Sequence, residues 1–138
     1  MLKILCIDDD VDILRTYKMM LSKKYDFTGT DDPEEGLELA MGGEFPVILL
    51  DMRMPAMSGM DIAAKLQESN VRCKCIMITS HTTEYFTHET TQFFPIFKYL
   101  FKPLVTKDLT EAIQEATQEL EKDDRKAELE ESREAEAE

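Results

Sequence analysis

The sequence predicts an α/β fold: a doubly wound, five-stranded parallel sheet with helices on both faces. Three observations lead there. Short apolar runs alternate with stretches of helical periodicity along the 138 residues. The runs are continuous rather than alternating, which marks strands buried on both faces. Runs one, three, four and five also end in polar side chains, at Asp8-Asp9, Asp51, Thr79 and Lys102.

Lys3-Ile4-Leu5-Cys6-Ile7 is the first strand and runs straight into Asp8-Asp9-Asp10. Val11 to Leu21 follows as a helix, with Ile13, Leu14, Tyr17, Met20 and Leu21 at helical spacing. One Asp suffices to cap it, because negative charge is favourable at a helix N-terminus. Three adjacent ones repel each other without added benefit, so at least one is assigned a functional role. Tyr25 to Thr30 reads as a second strand beside the first. Asp32-Pro33-Glu34-Glu35 opens a helix with an Asp cap and Pro at the first position. Leu37, Ala40 and Met41 form its apolar stripe, and Gly42-Gly43 stops it.

Val47-Ile48-Leu49-Leu50 is the third strand and ends abruptly on Asp51. Pro55 and Ser58-Gly59 mark a βα loop before a third helix that turns Ile62, Ala63 and Leu66 inward. Cys75 to Ile78 is the fourth strand, ending in Thr79-Ser80. A helix is expected over Thr82 to Gln92, although its threonines lower the propensity. Pro95 to Phe101 is the fifth strand, ending at Lys102-Pro103, and Thr106 caps a last helix with Leu109, Ile113, Ala116 and Leu120 inward.

Residues 1–122 are expected to form one domain, and 123–138 an acidic tail or the start of a helical linker. Residues 121–138 hold nine acids against four bases and almost nothing apolar, so they cannot build a core and are expected to add little to folding. The net charge of −13 argues against direct contact with nucleic acid or an anionic membrane. No run has membrane-spanning length, and none resembles a signal peptide. Cys6, Cys73 and Cys75 lack C-x-x-C spacing and read as free thiols in a reducing cytosol. Strand alternation is expected to turn the sulfurs of Cys73 and Cys75 apart. Met52, Met54, Met57 and Met60 read as packing rather than soft-metal ligands.

In open α/β sheets, ligands bind beyond the carboxyl ends of the strands. With the 2-1-3-4-5 order of flavodoxin-like folds, Asp9 and Asp51 face each other across the crevice, Thr79 stands beside them and Lys102 reaches over. Clustered carboxylates either hold a proton or bind a cation. All-oxygen donors with no His or Cys nearby favour Mg²⁺. An Asp between a hard cation and a Lys is arranged to attack a phosphoryl group, and a Thr hydroxyl can hydrogen-bond the product. A mononucleotide would lack its usual Gly-rich cradle.

Four separated motifs carry a resemblance: Ile7-Asp8-Asp9-Asp10, Leu50-Asp51-Met52-Arg53-Met54-Pro55 with Gly59, Ile78-Thr79-Ser80, and Phe101-Lys102-Pro103. Together they resemble the CheY-like receiver domain of response regulators in two-component signalling, over roughly residues 1–122. The resemblance implies Asp51 as phosphoacceptor, taking phosphate from the phosphohistidine of a histidine kinase or phosphotransfer protein. It implies Asp9, Asp51 and the Arg53 carbonyl as Mg²⁺ ligands, with Asp8 acting partly through water. Lys102 and Thr79 become its catalytic partners, Thr79 and Tyr99 its switch pair. Arg53 and His81 fall at the mouth of the site, where they would tune the phosphoryl lifetime.

The resemblance further implies a cytoplasmic signalling module rather than an enzyme. Its output would use the face formed by strand four, the next helix and strand five, with a phosphorylation-dependent dimer among the outputs. One departure concerns that face, since Pro95-Ile96 behind Phe93-Phe94 replace the family's small Gly-Ala pair. The partner is therefore not inherited by analogy. A haloacid-dehalogenase-like phosphatase would need an acid two residues after the nucleophile, where Arg53 stands. The second reading is an atypical receiver that binds partners without phosphorylation.

Overall fold

Five short strands pair side by side, all parallel, in the order β2-β1-β3-β4-β5. The structure is a computed structural model that describes residues 1–80 and 96–137. Its strands are β1 (Lys3–Ile7), β2 (Asp26–Thr30), β3 (Val47–Asp51), β4 (Lys74–Thr79) and β5 (Ile96–Phe101). Its helices are α1 (Val11–Leu21), α2 (Pro33–Met41), α3 (Gly59–Glu68) and α4 (Thr106–Ala137). The doubly wound sheet expected from the sequence is the one observed. The helix expected over Thr82 to Gln92, with His81, His88 and Pro95, lies outside the described residues.

The continuous apolar runs are explained by what covers them. Ile4, Cys6, Val47, Leu49, Ile76 and Ile78 pack with Tyr17 and Leu21 of α1 and Leu109, Ile113 and Ala116 of α4. The alternate residues Leu5, Ile7, Ile48, Leu50, Cys75 and Met77 pack with Ala40 of α2 and Ile62, Ala63 and Leu66 of α3. Each large side chain so buried contributes about 1.5–3 kcal/mol, so β1, β3 and β4 are the rigid centre of the molecule.

Local signals set the helix starts. Asp10 accepts from the Asp12 N–H at 2.9 Å, and Asp32 from the Glu34 N–H at 3.0 Å with Pro33 next to it. Ser58 and Asp61 form a reciprocal capping box, both bonds 3.1 Å. The stripe of α2 differs from expectation. Pro33, Gly36 and Ala40 are its buried residues, and Met41 is 43 % exposed. The helix lies so close to β1 that a Cβ on Gly36 would meet Ile7 at 2.5 Å.

Register carries the fold to the site. Ile7 stands opposite Leu50, Asp51 opposite Ile78, and Thr79 opposite Phe101, so the strand ends are level. Backbone bonds lock the residues just beyond them: Asp8 N–H to Thr30 O at 3.2 Å, Met52 N–H to Ile78 O at 3.3 Å, and Lys102 N–H to Thr79 O at 2.8 Å.

Helix α4 runs without a break to Ala137. On the way Asp123 pairs with Lys74 at 2.9 Å, and Asp124 takes a two-point hydrogen bond from Arg72. Among the described residues no helix is long and apolar enough to cross a membrane. Exposed ion pairs stabilise weakly. Truncation after Lys126 keeps both pairs and should leave the thermal midpoint within about 2 °C of the full chain. Truncation after Lys122 removes both and should lower it further, by no more than about 5 °C. Thermal unfolding followed by circular dichroism compares them; equal midpoints would mean that the two ion pairs hold nothing.

Candidate functional site

Where the level strand ends meet, three acids and one base come together. Asp8 and Asp9 follow β1, Asp51 ends β3, and Lys102 follows β5. One carboxylate oxygen from each of Asp8, Asp9 and Asp51 lies within 4.8 Å of the others. The Lys102 ammonium donates to Asp8 Oδ2 at 3.1 Å and to Asp51 Oδ1 at 3.4 Å. Thr79, buried, ends β4 on the same edge.

Each acid of the Asp8-Asp9-Asp10 run has its own task. Asp10 caps α1. Asp8 is 2 % exposed, and its two oxygens are engaged by the Asp10 N–H at 2.9 Å and by Lys102. Asp9 is exposed and close enough to Asp51 to accept its proton in a hydrogen bond when Asp51 is neutral. The expected capping Asp is Asp10, and the other two acids of the run gather with Asp51.

Crowding shows in the proton equilibria. Burial first, then the charge of Asp8, pushes Asp51 up to about 6, against the pull of Lys102. Burial also raises Asp8. Burial alone would lower Lys102, but the carboxylates of Asp8 and Asp51 outweigh it and raise its pKa, keeping it an ammonium. The donors are all hard oxygens with an excess of negative charge, and that set fits Mg²⁺.

The approach from β3 into α3 depends on Gly59, which the sequence marks as part of the loop and of the Asp51 motif. A Cβ on Gly59 would stand 2.4 Å from the Asp51 carbonyl oxygen and 2.8 Å from Met77 Sδ. Gly59 N–H also donates to Met52 O at 3.2 Å. Only glycine lets the helix start this close to the acid. Arg53 is exposed in the intervening loop, and His81 is outside the described residues. Tyr99 sits on β5 opposite Met77, partly buried against the core on the α2–α3 face.

A family model described as "Response regulator receiver domain" matches residues 4–114. A curated relative, the cell cycle transcriptional regulator CtrA of Caulobacter vibrioides, is 34 % identical over 91 residues. That match covers 65 % of this chain and 39 % of the relative, so the chain spans well under half of that regulator's length. A solved receiver domain from Clostridium thermocellum superposes with TM-score 0.76 at 30 % identity, over 84 % of this chain and 94 % of that one. The response regulator TrrA of Thermotoga maritima, solved in complex with Mg²⁺ and BeF, has the same fold, with TM-score 0.74 at 23 % identity over 84 % and 99 % of the two chains.

The raised Asp51 pKa has a measurable sign. The folded state holds this proton more tightly than the unfolded one, whose carboxylate has a pKa near ~3.9. Ionised Asp51 therefore weakens the metal-free fold above pH 6, and acidification from about 6 to about 4 relieves the penalty. In EDTA at pH 7.5, Asp51→Asn should be more stable than wild type by on the order of 1 kcal/mol, and the difference should close by about pH 4.5. Urea unfolding at the two pH values reads this; a less stable Asn variant at pH 7.5 would refute the repulsive site.

Proposed function

Because the chain belongs to the response regulator receiver domain family, we propose that it is a phosphorylatable receiver. It takes phosphate from a histidine kinase or phosphotransfer protein onto Asp51 and passes the change to an output domain or partner in the cytoplasm. The observation that carries this reading is the Lys102 ammonium held between Asp8 and Asp51, with Asp9 beside them, at the ligand-binding edge of the sheet.

Asp51 is the nucleophile: its carboxylate oxygen forms the new bond to phosphorus as the bond to the donor nitrogen breaks. Asp8 holds Lys102 over the reacting oxygen, and Lys102 offsets charge on the phosphoryl group. The Asp9 and Asp51 carboxylates and the Arg53 carbonyl, with Asp8 acting partly through water, would hold Mg²⁺, which would supply further positive charge against the phosphoryl oxygens. The Thr79 hydroxyl then binds the new phosphoryl group, and Tyr99 follows it as the second half of a two-state switch. The pairing of Met77 with Tyr99 and Thr79 with Phe101 supports this coupling, since both residues sit near the same end of adjoining strands. The receiver body occupies residues 1–122, with 123–138 as tail or linker, and the face of β4 and β5 carries the output.

Acetyl phosphate with Mg²⁺ should label Asp51, as read by intact mass and peptide mapping. Asp51→Asn should abolish the label, and Asp9→Ala should weaken Mg²⁺ binding strongly, because few protein ligands are available. An Asn variant labelled at the wild-type rate would remove the nucleophile assignment.

Hydrolysis of the phosphoryl group needs a water in line with its bond to Asp51. The family resemblance puts Arg53 and His81 at the mouth of the site, and as bulky hydrogen-bond donors they would hold the phosphoryl oxygens and obstruct that water. The phosphorylated state should last many minutes, and the Arg53→Asn, His81→Glu double variant should decay about tenfold faster, ~1.4 kcal/mol in barrier. Decay is followed after removal of acetyl phosphate. A wild-type lifetime of seconds would overturn the assignment.

A further inference from the structure

Asp10 stands between helix α1 and the acidic edge and is bonded to both. Toward the helix, its carboxylate accepts the Asp12 N–H at 2.9 Å, and its carbonyl accepts the Leu14 N–H at 3.2 Å. Toward the edge, its own N–H donates to Asp8 Oδ1 at 2.9 Å. The other oxygen of that carboxylate, Asp8 Oδ2, receives the Lys102 ammonium at 3.1 Å. The first turn of α1, Asp10, Asp8 and Lys102 thus form one chain of hydrogen bonds.

This chain fixes a rotation that burial alone leaves open. The terminal torsion of an Asp side chain lies in a broad, two-fold well, so its carboxylate needs a partner to set its plane. With Oδ1 held by Asp10, Oδ2 is presented to Lys102, which also reaches Asp51 Oδ1 at 3.4 Å. The aim of the Asp10 N–H depends in turn on the backbone of Asp10, extended at φ −92° and ψ 106°. The side-chain cap is what stabilises that conformation at a helix start. Without the cap the first turn frays, and the peptide carrying the Asp10 N–H is free to tilt. Asp9, one of the three gathered acids, lies inside the same turn.

The negative charge of Asp10 is not what this task requires. Asp10 is exposed, and the gathered carboxylates are those of Asp8, Asp9 and Asp51. The molecule also carries its own control. Asp32 is a second exposed Asp cap with nearly the same backbone, φ −101° and ψ 112°, accepting the Glu34 N–H at 3.0 Å. Its own N–H goes to the Thr30 hydroxyl at 3.2 Å instead of to an acid of the site.

We propose that Asp10 is a positioning residue for phosphotransfer: by capping α1 it holds the Asp8 carboxylate in the rotation that presents Oδ2 to Lys102. The inference rests on the reading of Asp51 as phosphoacceptor.

The test times labelling of the full-length chain by acetyl phosphate at saturating Mg²⁺, read by intact mass well below the thermal midpoint of each variant. Asp10→Ala should slow labelling by about tenfold, because small misplacements near the reacting atoms are costly. Asp10→Asn restores the cap without the charge and should stay within about twofold of wild type. Asp32→Ala removes the matching cap from α2, lowers the thermal midpoint by a similar amount and should label at the wild-type rate. Asp10→Gly loses the side-chain bond at little cost to the helix start, so it should be as slow as Asp10→Ala and serves where that variant fails to fold. Equal slowing by Asp10→Ala and Asp32→Ala would trace the effect to stability alone and overturn the proposal. An Asn variant as slow as the Ala variant would make charge the active feature and overturn it too. A labelled wild type with Ala and Gly variants of equal rate overturns this inference alone, whereas a wild type that takes no label overturns the phosphoacceptor reading and the inference with it.

Discussion

The contact on which the rest of the structure depends is the one between Lys102 and the carboxylates of Asp8 and Asp51. Three acids drawn within 4.8 Å of one another repel, and burial makes the repulsion worse by removing the water that would screen it. One ammonium cannot cancel three negative charges. The edge of the sheet therefore keeps a standing preference for added positive charge, the property that the proposed divalent cation and phosphoryl group would use.

Holding like charges together takes a scaffold that does not yield, and the two-faced sheet is that scaffold. The central strands are covered on both sides, and their ends are kept level by register and by backbone bonds just beyond each strand. The close approaches matter as much as the apolar area. Gly36 lets α2 lie on Ile7, and Gly59 lets α3 begin against the Asp51 carbonyl. Loosening either contact would let the acids drift apart and relax.

Strand β4 has a chemical polarity of its own. Its carboxyl end places Thr79 at the acidic edge; just before its amino end Cys73 opens on a groove, with Cys75 buried in the strand behind it. Hard donors and soft donors are thus separated by the length of one strand. The extension of α4 braces the soft end, where Asp123 and Asp124 reach the side chains flanking Cys73.

The sequence by itself determined the described elements and the strand ends at which Asp8, Asp9, Asp51 and Lys102 gather. Continuous apolar runs specified strands buried on both faces, caps specified helix starts, and polar residues at the run ends marked the edge where chemistry would gather. These properties are legible because they depend on neighbours within a few residues. Only the tertiary structure decided which Asp of the first run caps α1 and which meets Lys102, since Lys102 and Asp8 are 94 positions apart. Tertiary structure likewise decided that Gly59 abuts Asp51, that Gly36 rather than Met41 faces the sheet, and that the acidic extension reaches Arg72 and Lys74. The side chains of Cys73 and Cys75 are a different case: they were expected to point apart, yet both pack into the core on the α2–α3 face, as a two-residue separation implies. Distances between chain segments arise from packing, and packing leaves no local signature in the order of residues.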